Sequence, residues 1–184
     1  MKKKIVGLLS VVTLLIALIA IPTAANAATT ATVTITATPQ YLAITINGGA
    51  NVNWSVGTVA ADSTYWQKGG SEPSWPIADA DCSFTLANAG SVASDIDVKG
   101  TNFTGGVGWT LTTGSPGENT VRVTAYASGM QKADGKKLTT SDQEFVDNLA
   151  ASGTKKGELS LETGTFTDGE QKSSTVTFTI RVHS

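Results

Sequence analysis

The chain has 184 residues, with 13 Lys and Arg against 15 Asp and Glu, a net charge of −2 and a single cysteine. That balance gives no basic surface for nucleic-acid phosphates, which demand one, and one cysteine cannot close an internal disulfide. Stability must come from packing, and at this length a single domain buries enough apolar surface to fold alone.

Lys2, Lys3 and Lys4 precede an uncharged, largely apolar run from Ile5 to Ile21, which Pro22 ends. Ala25-Asn26-Ala27 satisfies the small-x-small cleavage rule, so residues 1–27 read as a secretory signal peptide cut after Ala27. The 17-residue run is at the short end for a membrane-spanning helix. Losing the leader removes three lysines and no acid, so the remaining 157 residues carry 10 basic and 15 acidic side chains, a net charge of −5. No second apolar run and no LPxTG-like sorting signal follow. The expected protein is prokaryotic, secreted and extracellular, at the cell surface without an anchor of its own and without membrane contact after cleavage.

Residues 28–184 then read as one domain of alternating strands. "TVTITAT" sets Val33, Ile35 and Ala37 on one face and Thr32, Thr34 and Thr36 on the other. "YLAITIN" aligns Leu42, Ile44 and Ile46, and "CSFTL" aligns Cys82, Phe84 and Leu86. "DIDVK" turns Ile96 and Val98 inward and Asp95 and Asp97 outward, and "GWTLT" aligns Trp109 with Leu111. "TVRVTAYA", "ELSLE" and "STVTFTIRV" continue the pattern with Val121 and Val123, Leu159 and Leu161, and Val176, Phe178 and Ile180. Period two is the signature of half-buried strands. The 26 threonines among these 157 residues suit a pleated surface. Gly-rich turns such as "NGGAN", "TGGVG" and "TGSPGEN" separate the runs. The fold class is all-β, an antiparallel β-sandwich of Ig-like or jelly-roll type.

One segment departs from period two. In "SDQEFVDNLAASG", Ser141 and Glu144 have capping-box spacing, Phe145 and Leu149 share a helical face, and Gly153 supplies a stop. The pattern predicts one short helix near 141–152.

Catalytic constellations are scarce. The one histidine, His183, stands next to the chain end, where segments are usually mobile. Histidine-based nucleophiles and His/Cys zinc sites are therefore short of groups, and neither a G-x-S-x-G elbow nor a P-loop is present. No enzyme activity and no cofactor are expected. The weak candidates for a metal are Asp79 with Asp81 and Asp95 with Asp97, pairs that could each offer carboxylates to Ca²⁺. A solvated outer face explains them more simply, so no metal is expected. Cys82, in register with Phe84 and Leu86, reads as a small buried hydrophobe.

"STYWQKGGSEPSWP", Ser63 to Pro76, places Tyr65, Trp66 and Trp75 among turn residues and prolines. Exposed and coplanar, these three rings would be a carbohydrate-binding platform. Buried, they would be a lid over the sandwich, which the burial preference of large aromatics favours.

"CSFTLANAGSVASDIDVKG" reads as strand, Asn-x-Gly-Ser turn and strand. It resembles the unit found in secreted prokaryotic surface β-sandwiches, including the TasA/camelysin-like biofilm-fibre proteins. Trp109-Thr110-Leu111 is similar to the first motif of the WxL cell-wall-binding domains. The first resemblance implies a structural protein that polymerises by strand exchange, and the second implies contact with the cell wall.

The N-terminal residues leave two pairings open. From Ala28 to Ala61 there is no charged side chain, and Thr32, Val33, Thr34, Ile35, Thr36 and Ala37 lack the lysine, proline or bulge that guards a natural edge strand. Such a segment either pairs in its own sheet or adds to the sheet edge of another copy. The function expected is a non-enzymatic structural subunit of the surface or of an extracellular filament, self-associating through this segment. The alternative is a module for cell-wall or extracellular polysaccharide using Tyr65, Trp66 and Trp75.

Overall fold

The computed structural model describes residues 41–49, 52–69 and 71–183. The leader and the Thr32–Ala37 segment lie outside the described residues. What is described is all-β. Ten strands run in chain order: β1 Ile44–Ile46, β2 Thr64–Trp66, β3 Phe84–Asn88, β4 Ser94–Gly100, β5 Thr110–Leu111, β6 Thr120–Ala127, β7 Lys136–Lys137, β8 Gln143–Leu149, β9 Thr154–Thr163 and β10 Val176–Val182. The helical turns among the described residues are three-residue 3₁₀ pieces.

The strands form two sheets. In the larger, the ten-residue β9 is the spine. One edge of β9 takes β3 and β2 end to end, with β1 beyond β3; the other takes β6, whose far edge takes β7 and β5. Every pairing is antiparallel except the two-residue contact of β5 with β6. The smaller sheet has the order β10-β4-β8, again antiparallel.

The core lies between the sheets because period two sends one set of side chains from each to the same side. Leu86, Val121, Val123, Ala125, Leu159 and Leu161 of the large sheet meet Ile96, Val98, Phe145 and Val146 of the small one. Phe178 of β10 bridges them, with ring centroids 5.3 Å from Phe84 and 5.6 Å from Phe145. Gly157 on β9 permits this contact: a Cβ there would sit 2.5 Å from Cζ of Phe84.

The helix expected over 141–152 is not formed, and this is a correction to the sequence reading. Gln143–Leu149 is strand β8, paired with β4 through two register shifts. Those bulges place Phe145 and Val146 both on the buried side and turn Asp147 and Asn148 out together, with Asn148 at φ +49°. A bulge inserts a residue and breaks period two, so the apolar spacing imitates a helix. Glu144 does not cap a helix; it pairs with Arg181 at 2.6 Å.

Candidate functional site

Two surfaces hold the side chains of chemical interest, one on the outer face of each sheet. On the large sheet, cross-strand pairing lines up Tyr126 with Glu158, Thr124 with Ser160 and Arg122 with Glu162. Trp66 on β2 stands opposite Ser160 and joins that row. The crossover from β2 to β3 folds across it. Its main chain is tied to the turn after β6 by Ile77 N–H to Met130 O at 3.0 Å and Gly129 N–H to Ile77 O at 2.8 Å. Trp66, Ile77 and Tyr126 are buried there as a second small core, with Trp75, Cys82 and Met130 packed around them.

These rings do not lie coplanar. Tyr65 and Trp66 are neighbours in a strand, so they point to opposite faces. Tyr65 packs on the inter-sheet core, and its hydroxyl accepts a hydrogen bond from Ala60 N–H at 2.6 Å. Trp66 is 7% exposed. Its ring lies 6.0 Å from that of Trp75 with 59° between the planes. Trp75 is half-buried, with its Nε1–H donated to Glu72 at 2.8 Å. Ring centroids 5.0–6.0 Å apart among Trp66, Trp75 and Tyr126 leave no room for a ligand between them.

Under this lid Glu158 is 1% exposed. Its Oε1 accepts from Lys68 N–H at 2.7 Å, while its Oε2 and the neighbouring Ser160 Oγ have no hydrogen-bond partner among the described residues. Burial pushes the Glu158 carboxyl above the usual carboxylate range, against the pull of the Lys68 N–H. A hollow of about 210 Å³ lies beside it, bounded by Trp66, Glu72, Ser74 and Asp81. Cys82 closes a 3₁₀ turn just ahead of β3 rather than continuing its inward row. Burial and then the nearby Glu158 and Asp79 carboxylates push its thiol up to about 11, so it is not a thiolate at neutral pH. Asp79 and Asp81 sit in that same turn, with Asp79 3.8 Å from Lys156 Nζ.

The outer face of the small sheet carries the denser charge. Asp95 and Asp97 on β4 do face outward, yet Asp95 is only 2% exposed because β10 and the following residue cover it. Arg181 Nη1 reaches Asp95 Oδ2 at 2.5 Å, its Nε reaches Asp97 at 3.2 Å, and its Nη2 reaches Glu144. His183 Nδ1 lies 2.7 Å from Asp95 Oδ1 and 3.2 Å from Asp147 Oδ1. The N–H of Asn148 donates to Asp95 Oδ1 at 2.9 Å. That bond, with help from His183 and Arg181 and against the effect of burial, holds the Asp95 carboxyl below its ordinary range. Asp97 is taken up by Arg181, so the group near Asp95 is completed by Asp147 and His183. Sequence reasoning missed both, because a bulge turned Asp147 outward and because the residue after β10 is held to β4's start: His183 N–H reaches Ala93 O at 3.4 Å.

The same strand has a second property. Thr101 N–H bonds Thr175 O, and His183 N–H bonds Ala93 O. With the register of β10 on β4, this makes the odd-numbered residues 175–183 the ones that bond to β4. The N–H and C=O groups of Val176, Phe178, Ile180 and Val182 therefore point to the far edge. Among the described residues that edge has no partner strand. It is regular over seven residues, and its inward residues Val176, Phe178 and Ile180 are only half-buried. The other edge of this sheet, β8, is bulged and carries Glu144 and Asp147.

Comparison with protein-family models, with curated proteins and with solved structures finds no match to this chain. The functional reading therefore rests on the geometry. Among the described residues no helix is long and apolar enough to cross a membrane.

Proposed function

We propose that the protein is a structural subunit of the cell surface that assembles by strand addition: the 28–38 segment of one copy pairs with the edge of β10 in the next, the edge that has no partner strand among the described residues. The observation that carries this reading is the asymmetry between the two edges of the small sheet. Natural edges are blunted by bulges and charge. The β8 edge has both, whereas β10 is regular and has Arg181 as its one charged residue. Thr32–Thr38 and β10 are each seven residues long, and both alternate apolar side chains with threonine, with Arg181 taking the last outward position of β10. A strand laid along β10 would satisfy the outward main-chain groups of Val176, Phe178, Ile180 and Val182. It would also cover the half-buried side of the core. Head-to-tail addition does not close on itself, so it yields a filament. Export through the leader read at residues 1–27 fits such a subunit.

Deletion of Ala28–Thr38 tests the reading. The shortened protein is expected to stay folded and monomeric under conditions where the intact secreted protein forms polymers, and to bind a synthetic peptide of the deleted residues. Unfolding on deletion, together with an intact protein that stays monomeric at high concentration, would place the segment in its own sheet and end the proposal.

A further inference from the structure

We propose that Asp95, Asp147 and His183 form a binding site for a divalent metal ion of the zinc class, clipping the end of β10 to β8 across β4. One ligand atom from each of Asp95, Asp147 and His183 lies within 4.8 Å of the other two. The imidazole nitrogen is 2.7 Å from one carboxylate oxygen and 3.2 Å from the other. Ligands bound tetrahedrally to zinc at about 2.0–2.1 Å stand roughly 3.3 Å apart, so the contact of His183 with Asp147 already has that spacing and its contact with Asp95 has to open by about 0.6 Å.

The chemistry of the donors selects the metal. One imidazole nitrogen with two carboxylate oxygens suits a borderline ion with three protein ligands and an open position for water. Calcium would require six to eight oxygens. Asp95 is already fixed for this role: Arg181 holds its Oδ2 and the Asn148 N–H takes one side of its Oδ1, leaving the other side turned to His183. Groups that orient a ligand in this way strengthen metal binding. The charge balance supplies a separate reason. Asp95, Asp97, Glu144 and Asp147 are four carboxylates gathered around one guanidinium and one imidazole, an excess of negative charge that a dication offsets. Asp147 is 66% exposed and His183 is 35% exposed, so an ion reaches the group from solvent.

The single histidine makes the site directly observable, since the imidazole proton resonances of the untagged full chain report His183 alone. Titration with ZnCl₂ at neutral pH is expected to shift or broaden those resonances with one-to-one stoichiometry and to raise the melting temperature by mass action. Asp147→Asn, at an exposed position, is expected to keep the fold and to weaken the apparent affinity at least about tenfold. CaCl₂ is expected to leave the resonances in place. Imidazole signals unmoved by millimolar ZnCl₂, an Asp147→Asn variant that binds as tightly as the parent, or an equal response to CaCl₂ would each overturn the proposal.

Discussion

Two residues show how burial alone sets chemistry in this molecule. Trp66 is enclosed by Tyr126 and Trp75 on the outer face of the large sheet. Removing its ring opens a void in a packed cluster, so Trp66→Ala is expected to lower stability by about 3–5 kcal/mol. The half-buried Trp75 should cost clearly less. Urea denaturation of the two variants checks the order, and equal losses would contradict the described packing. Glu158 works in the opposite direction. Its folded pKa lies above the ordinary carboxylate value of about 4.3. Between those two values the folded protein holds a proton that the unfolded chain has released, so this residue's contribution falls as pH rises through the window and stays lower above it. Glu158→Gln should therefore melt higher than the parent at pH 8, with the difference shrinking toward pH 4. A variant less stable than the parent at pH 8 would mean that the carboxylate is held by partners other than the Lys68 N–H.

Among the described residues, the longer strands were legible from sequence where period two ran uninterrupted. β4, β6, β9 and β10 lie on the runs that the alternation marks, with Ile96, Val98, Val121, Val123, Leu159 and Leu161 buried. The reading failed where the backbone departs from regular pairing. β8 imitates a helix because its bulges bring Phe145, Val146 and Leu149 to one side. β2 and β7 are three and two residues long, too short to show a period. Asp95 was correctly turned outward, but nothing in sequence tells that Arg181 and His183 arrive across the sheet to bury it. Ser141 offers a direct check on β8. As a helix N-cap its loss would cost about 1 kcal/mol. Here its side chain is exposed and Thr139 bonds only its main chain. Ser141→Ala is expected to change stability by less than about 0.5 kcal/mol, the usual range for such surface changes, and a full capping loss in thermal melts would contradict the strand.

At the scale of the molecule, the described residues leave the two edges of the small sheet unlike each other: β8 is bulged and β10 is regular. Val176 and Phe178 of β10 and Ile44 and Ile46 of β1, which are edge strands of their sheets among the described residues, are all half-buried although all pack on the core. The crossover lid and the charged cluster around Arg181 brace the two outer faces, so the features that invite another strand are concentrated on β10. The central claim is that this edge accepts the 28–38 segment of another copy, and it separates into a donor half and an acceptor half. A protein lacking Ala28–Thr38 keeps the acceptor and has no donor. Ile180→Lys keeps the donor and places a charge on the inward row of the edge strand, a substitution that blocks pairing. Sedimentation velocity on the two variants, alone and mixed, is the most direct measurement. Each alone is expected to sediment as a monomer, and the mixture is expected to give a one-to-one dimer. A mixture that remains monomeric, with both variants folded, would contradict it.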